Sequence, residues 1–66
     1  MKVQKLKAKI IERGYNVEEL AKSIDIDRSS MYRKLNNIEK ISIGEAKKIK
    51  SALAMTDAEA NEIFLN

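Results

Sequence analysis

The sequence predicts an all-α protein, a compact bundle of about five short helices that forms one domain over residues 1–66. Composition supports this class, because the chain has no proline, only two glycines, and 44% hydrophobic with 35% charged residues. Apolar residues recur at helical spacing, and helix-capping residues divide the chain into short segments. A domain of this size buries only about 60% of its unfolded surface, which leaves little volume for a substrate pocket.

The first helix is predicted from about Lys2 to Arg13, with Val3, Leu6 and Ile10 on its apolar stripe. Gly14 can then adopt the left-handed conformation that ends many helices. The stripe is narrow and aliphatic, so we expect it to pack in a folded core rather than on a membrane surface. No apolar run approaches the ~20 residues of a membrane span.

Two further short helices are predicted at Val17–Ser23 and Arg28–Asn36. Asn16 and Glu19 form a capping box at the start of the first, and Asp27 caps the second. Four apolar side chains should fill the angle between these helices: Leu20, Ile24, Ile26 and Met31. Because the connection is too short for a loop, the helices must cross steeply. This is the helix-turn-helix layout, whose second helix can enter the major groove of DNA.

The order and spacing of these residues resemble the helix-turn-helix domains of small phage repressors and Cro proteins. The family pattern Thr-Gln-x-x-Leu-Ala-x-x-x-Gly-Ile-Ser stands here as Asn16-Val17-x-x-Leu20-Ala21-x-x-x-Asp25-Ile26-Asp27. The Asn-Gly turn after the family's recognition helix stands as Asn36-Asn37. The resemblance continues through residues 44–49 to residues 62–65, and it implies a lambda-repressor-like DNA-binding domain.

Two positions of the first motif helix and its turn depart from the family. Asp25 stands where glycine is usual because the backbone has positive φ, which Asp tolerates at some cost in stability. Val17 stands where the family often has a Gln that touches the DNA backbone. Only the main-chain N–H of Val17 is then available for a phosphate.

A third departure lies on the second motif helix. Lys34 stands where the family often has an apolar residue, and we expect Leu35 to carry the packing instead, against Ile10. A small rotation of the helix would follow. Whether Arg33 or Lys34 points more directly into the groove is therefore left open.

The exposed face of the second motif helix supplies the candidates for reading bases. Met31 and Leu35, four residues apart, define its buried face. The base-contact candidates are Arg28, Ser29, Ser30, Tyr32 and Arg33. Arg can bond guanine O6 and N7 together, Ser can bond either strand, and Tyr can pack on a thymine methyl. An ordinary solvated face has a similar composition, but its place in this motif favours DNA contact.

The resemblance also implies that the connector after this helix, and the start of the next one, hold the DNA backbone. The backbone-contact candidates are Val17, Lys34, Asn36, Asn37, Lys40 and Ser42. Asn37 is expected to adopt the left-handed conformation of the family glycine. Ile38 and Ile41 should anchor the connector to the core. Contacts of this kind set register and affinity without reading sequence.

The last two helices are predicted from their capping boxes, Ser42 with Glu45 and Thr56 with Glu59. The fourth helix should run to about Ala54. Its inward residues are expected to be Ile43, Ala46, Ile49 and Leu53.

The C-terminal residues bear on oligomeric state. Phe64 is expected in the monomer core, whereas an interface and simple exposure are equally plausible for Leu65. The resemblance implies dimer contacts in this region. We therefore predict a weak homodimer on DNA, with the C-terminal helix that carries Phe64 and Leu65 as the candidate contact.

Charge is distributed unevenly. Residues 1–50 hold all 13 Lys and Arg against seven acidic residues, a net charge of +6, while residues 51–66 carry −3. This uneven charge would be explained if one surface binds an anion. It would also be explained if the lysines only keep a small domain soluble.

The chain lacks the residue types that most often serve catalysis and zinc binding. The chain has no cysteine and no histidine, so it has neither a thiolate zinc ligand nor the commonest general base. Ser29 and Ser30 lie near Lys34, but nothing on a short exposed helix would desolvate that lysine. We predict no enzyme activity, metal, cofactor or small-molecule ligand. The lack of cysteine fits a reducing cytoplasm.

The predicted function is a sequence-specific double-stranded DNA-binding transcriptional regulator of the phage repressor or Cro kind. A dimer would place one helix of residues 28–36 in each half of a two-fold operator, with half-sites ~34–36 Å apart. The alternative is a protein-interaction module of the same fold, an antitoxin or antirepressor partner. The acids Glu18, Glu19, Asp25 and Asp27 support it, because they dilute the basic face.

Overall fold

The structure, a computed structural model, describes residues 2–65. Its helices are α1 (Val3–Glu12), α2 (Val17–Ser23), α3 (Arg28–Asn36), α4 (Ile43–Ala52) and α5 (Asp57–Phe64), with a 3₁₀ turn at Ile38–Lys40. No strand occurs in these residues, so the all-α prediction is confirmed. None of the helices within residues 2–65 is long and apolar enough to cross a membrane.

Each of the helices α2 to α5 begins directly after the capping residue that the sequence predicted. Capping boxes form at Asn16 with Glu19, Ser42 with Glu45, and Thr56 with Glu59. Asp27 caps α3 by accepting the Ser30 N–H at 3.1 Å. These side chains satisfy N–H groups that the first turn of a helix leaves without partners.

Three helices end on a residue with left-handed backbone. Gly14 follows α1 with φ of 80°, Asp25 follows α2 with φ of 60°, and Ala54 follows α4 with φ of 51°. At Asp25 the turn is closed by Ile26 N–H, which donates to Ala21 O at 2.9 Å. The predictions for Gly14 and Asp25 are confirmed. The predicted end of the fourth helix near Ala54 is wrong by two residues, because α4 ends at Ala52.

The core is aliphatic apart from two methionines and one phenylalanine. Its buried residues are Leu6, Ile10, Leu20, Ala21, Ile24, Met31, Leu35, Ile41, Ile49, Leu53, Met55, Ile63 and Phe64. Phe64 thus lies in the core, as expected. Ile43 was expected to face inward, but its exposed fraction is 81%. At the first position of α4 no preceding turn lies beneath its side chain, and Ile41 fills the core instead.

Charged side chains join α1 to the C-terminal part of the chain. Lys9 pairs with Glu59, and Arg13 Nε donates to Leu53 O at 2.9 Å. The Lys9 ammonium, and then the N–H of Thr56, lower the pKa of Glu59 to about 2. This network holds α5 against α1.

Candidate nucleic-acid interface

The interface is built on the packing of α2 against α3. Their contacting apolar side chains are 0–3% exposed: Leu20, Ala21, Ile24, Met31 and Leu35. Ala21 is small enough for the two helices to approach closely. Since Met31 and Leu35 turn one face of α3 inward, as predicted, the opposite face of α3 is presented to solvent.

Four of the five base-contact candidates lie on that exposed face. Arg28, Ser29, Tyr32 and Arg33 are exposed, and half of the Tyr32 surface is accessible. Ser30 is half-buried. The face thus offers two guanidinium groups, a hydroxyl and a phenol, which are groups that can bond base edges in a major groove.

Ser30 is held inside a chain of hydrogen bonds along α3. Its hydroxyl donates to Asp27 Oδ1 at 2.6 Å and accepts from Arg33 Nη2 at 3.0 Å. The bonds from the Ser30 hydroxyl and N–H lower the pKa of Asp27, which therefore stays ionised. Arg33 is oriented before any ligand arrives.

Arg28 faces an acid on the other helix of the motif. Arg28 Nη1 lies 3.7 Å from Glu18 Oε2, and both side chains are more than half exposed. Such a pair contributes little to stability, since solvent screens it. It nevertheless offsets part of the positive charge at the start of α3.

A basic cleft of about 230 Å³ lies between α3 and the 3₁₀ turn. It is lined by Ser30, Arg33, Lys34 and Lys40. Among residues 2–65, Arg33 and Lys40 take part in no ion pair. Their charges are therefore available to an anion at this cleft.

Lys34 has a different environment from Arg33. Its Nζ donates to Glu45 Oε1 at 2.9 Å, and the two side chains are only 23% and 22% exposed. The Ser42 N–H and then the Lys34 ammonium lower the pKa of Glu45. The structure thus separates the two neighbouring cations, with Lys34 paired and Arg33 on the exposed face.

The connector residues contradict one expectation. Asn37 does not adopt the left-handed conformation, because its φ is −138°. Its N–H donates to Arg33 O at 3.0 Å and its carbonyl accepts from Lys40 N–H at 2.9 Å, so the chain passes directly from α3 into the 3₁₀ turn. Asn36, Asn37 and Lys40 are exposed, and Ile38 and Ile41 pack inward as predicted.

The remaining backbone candidates lie at helix N-termini. Val17 is the first residue of α2 and its side chain packs against the core, so its main chain is the part that can meet a phosphate. Ser42 is the N-cap of α4, and its hydroxyl accepts the Glu45 N–H at 3.1 Å. The hydroxyl hydrogen of Ser42 and the main-chain N–H groups after it can still donate to a phosphate.

Two acids contact candidate residues in pairs that the sequence did not predict. Glu18 was expected only to dilute the basic face and Glu45 only to complete a capping box, yet they contact Arg28 and Lys34. Glu18 is separated from Arg28 by the motif turn, so the pattern of the motif could have indicated that pair. No metal-binding cluster of acids occurs among residues 2–65.

A helix pair with this turn, and a second helix that exposes a polar and basic face, define a helix-turn-helix DNA-binding domain. The family model of the Cro/C1-type HTH DNA-binding domain matches residues 5–63. The match covers most of the chain, and the protein belongs to this family. No curated protein and no solved structure gave a match.

Proposed function

We propose that this protein is a sequence-specific transcriptional regulator that binds a two-fold operator as a homodimer in the cytoplasm. Each subunit inserts α3 into the major groove of one half-site. Arg28, Ser29, Tyr32 and Arg33 face the bases, with Ser30 behind Arg33. Lys40, Asn36, Asn37 and the N-termini of α2 and α4 meet phosphates. Occupation of promoter DNA excludes polymerase and represses transcription.

The observation that carries this proposal is the junction between the exposed face of α3 and the basic cleft. Arg33 belongs to both, and Lys40 lies across the cleft on the 3₁₀ turn. A duplex whose major groove receives α3 presents its phosphates beside the groove, where cations set register and affinity. If α3 were exposed only for solubility, no cation such as Lys40 would be needed beside it on the 3₁₀ turn.

A surface between α4 and α5 supports the homodimer. Ile43 and Leu65 are 81% and 77% exposed, and both line a groove of about 260 Å³. Ala46, Ala60 and Phe64 continue its apolar floor. Exposed aliphatic residues around a continuous apolar groove favour contact with another protein surface. A second copy would bury the same patch on both subunits, as two-fold symmetry requires.

Selection from a random duplex DNA pool at moderate salt, followed by sequencing, tests the proposal. An enriched inverted repeat with half-sites about one helical turn apart is expected. Enrichment of a single short site would retain DNA recognition and overturn the two-fold arrangement. Retention of unselected DNA at low salt alone would leave only nonspecific electrostatic binding.

One observation favours a protein partner as the second candidate function. A groove of about 320 Å³ between α1 and α3 is bordered by Ile11 and Tyr32, which are 75% and 50% exposed. Its floor includes Ile10 and Leu35. An antitoxin or antirepressor complex could use this groove. Salt separates the candidates, because DNA affinity falls with a log–log slope of about −0.9 per neutralised phosphate, whereas an apolar interface is much less sensitive.

A further inference from the structure

The side chain of Lys34 connects the recognition helix α3 to the capping box of α4. Glu45 Oε1 accepts from Lys34 Nζ at 2.9 Å and from Ser42 N–H at 3.0 Å. One carboxylate oxygen therefore joins the last turn of α3 to the first residue before α4. Both side chains are mostly shielded from solvent, which limits the screening of the pair.

The segment enclosed by this ion pair is the part of the chain that carries Lys40. Main-chain hydrogen bonds close it from Asn37 N–H to Arg33 O and from Ile41 N–H to Ile38 O. The buried Ile41 fixes its far end to the core. The Lys34–Glu45 pair adds a side-chain connection from α3 to α4 across this segment.

We propose that Lys34 is a positioning residue for DNA binding rather than a phosphate ligand. Its ion pair with Glu45 holds the 3₁₀ turn and the start of α4 at the distance from α3 that one DNA strand requires. Lys34 lines the basic cleft together with Arg33 and Lys40. Glu45 neutralises its charge there, so the phosphate contact at this cleft is left to Lys40. This role rests on the proposed function.

The substitution Glu45→Gln separates the two roles by sign. Gln at this position keeps the capping box with Ser42, so α4 should still form. If Lys34 were a phosphate ligand held back by Glu45, removal of the acid would strengthen DNA binding. If Lys34 acts by position, removal of the acid should weaken DNA binding even though the protein becomes more positive.

The experiment measures dissociation constants by fluorescence anisotropy over a range of salt, with the selected duplex and a scrambled duplex of the same length. The variants are Glu45→Gln, Lys34→Gln and the double variant. Glu39→Gln is the matched control, since Glu39 is an exposed acid on the same 3₁₀ turn with no ion pair among residues 2–65. Lys40→Gln is included as a reference, because it shows how much the salt slope changes when a proposed phosphate ligand is lost.

We expect each single variant to bind the selected duplex roughly threefold to tenfold more weakly, the range of a partly shielded charge-assisted hydrogen bond. The salt slope should remain that of the wild type, and the double variant should be no weaker than either single variant. Glu39→Gln should bind as well as the wild type or better. Lys40→Gln should lower the slope by about 0.9 per half-site.

Three results would overturn the positioning role: tighter binding by Glu45→Gln, a lower salt slope for Lys34→Gln, or no change in either variant. The wild type provides the separate check on the proposed function. If the wild type prefers the selected duplex but Lys34→Gln has a lower salt slope, the positioning role of Lys34 is wrong and the proposed function stands. If the wild type does not distinguish the selected duplex from the scrambled one, sequence-specific DNA recognition is wrong, and the positioning role is wrong with it.

Discussion

The Ser30 hydroxyl accepts a hydrogen bond from Arg33 Nη2 at 3.0 Å, one turn along α3. Because Ser30 also donates to Asp27 Oδ1 at 2.6 Å, its lone pairs face Arg33. The guanidinium is thereby restricted before DNA arrives, which reduces the side-chain entropy lost on binding. Ser30 was predicted to contact bases, and this bond gives it a second way to influence base preference.

We propose that Arg33 reads one base pair per half-site. We expect Ser30→Ala to relax preference at that base pair and to cost about 0.5–1.5 kcal/mol of binding, the net value of one hydrogen bond. Ser51→Ala is the control, because Ser51 is an exposed serine of α4 that makes no side-chain hydrogen bond among residues 2–65 and has no proposed contact with DNA. Binding to a panel of single-base operator variants checks this. If Ser30→Ala still weakens binding in an Arg33→Ala background, Ser30 acts independently of Arg33.

Substitutions of Arg28 or Arg33 should change DNA binding differently from a substitution of Lys40. Arg28→Ala or Arg33→Ala should cost ~1–3 kcal/mol and relax preference at one position per half-site, because a base contact is lost. Lys40→Ala should weaken binding to all sequences similarly and lower the salt slope. Repeating the selection with each variant distinguishes the two patterns. Unchanged specific affinity in both arginine variants would exclude α3 as the reading helix.

Ala54 is a site of backbone strain, since its φ is 51° and a Cβ disfavours that region. We expect Ala54→Gly to raise the free energy of unfolding by about 0.5–1 kcal/mol, the relief of strain minus the extra unfolded-state entropy. Urea unfolding monitored by circular dichroism measures the change. Ala58→Gly, on the exposed surface of α5, should be destabilising. If both glycines lower stability, the left-handed backbone at Ala54 is not strained.

Glu59 should make stability depend on acid pH. Its pKa is lowered to about 2, chiefly by the hydrogen bond from Lys9, whereas an unperturbed carboxyl has a value of 4.5. A lowered folded-state pKa stabilises the fold above pH 4.5, and the stabilisation is lost as pH falls toward 2. Glu59→Gln keeps the capping box with Thr56 and removes the charge.

We expect Glu59→Gln to have a lower Tm at neutral pH and a flatter decline of Tm on acidification. Thermal unfolding across this pH range gives both quantities. Glu39→Gln serves again as the control, because its exposed carboxylate has no ion pair among residues 2–65. Parallel Tm curves for Glu59→Gln and the wild type would mean that the pair with Lys9 contributes nothing to the pH dependence.

The exposed Ile43 should affect association and not folding. Ile43→Glu places a charge on the groove between α4 and α5, so the dimer should weaken by at least tenfold in Kd, about 1.4 kcal/mol. The monomer core is untouched, since this side chain is 81% exposed. Analytical ultracentrifugation with and without operator DNA measures the change. Ile11→Glu is the control at another exposed isoleucine, and equal effects of the two would show that the dimer does not use this groove.

Local features were predictable because each depends on residues within one turn of another. The capping boxes at Asn16, Ser42 and Thr56 need only a suitable side chain three residues away. The left-handed backbone at Asp25 was expected from the family resemblance, because this position of the turn usually holds glycine. The four-residue spacing of Met31 and Leu35 likewise indicated which face of α3 is buried and which is exposed.

Errors arose where the environment of a residue depends on a neighbouring element. Helical spacing placed Ile43 in the core, but a residue at the start of α4 has no turn beneath its side chain, and Ile41 is the buried isoleucine of this segment. Asn37 was expected to copy the family glycine. The immediate entry into the 3₁₀ turn instead keeps its φ negative.

The sequence by itself determined the helices, their order, the helix-turn-helix motif and the polar face of α3, because periodicity and capping act over a few residues. The tertiary structure decided which charges remain free on that face. Lys34 pairs with Glu45 eleven residues away, and Lys9 pairs with Glu59 fifty residues away. Such pairs form only where folded helices bring distant side chains together, so spacing along the chain does not encode which lysine is paired and which arginine faces solvent.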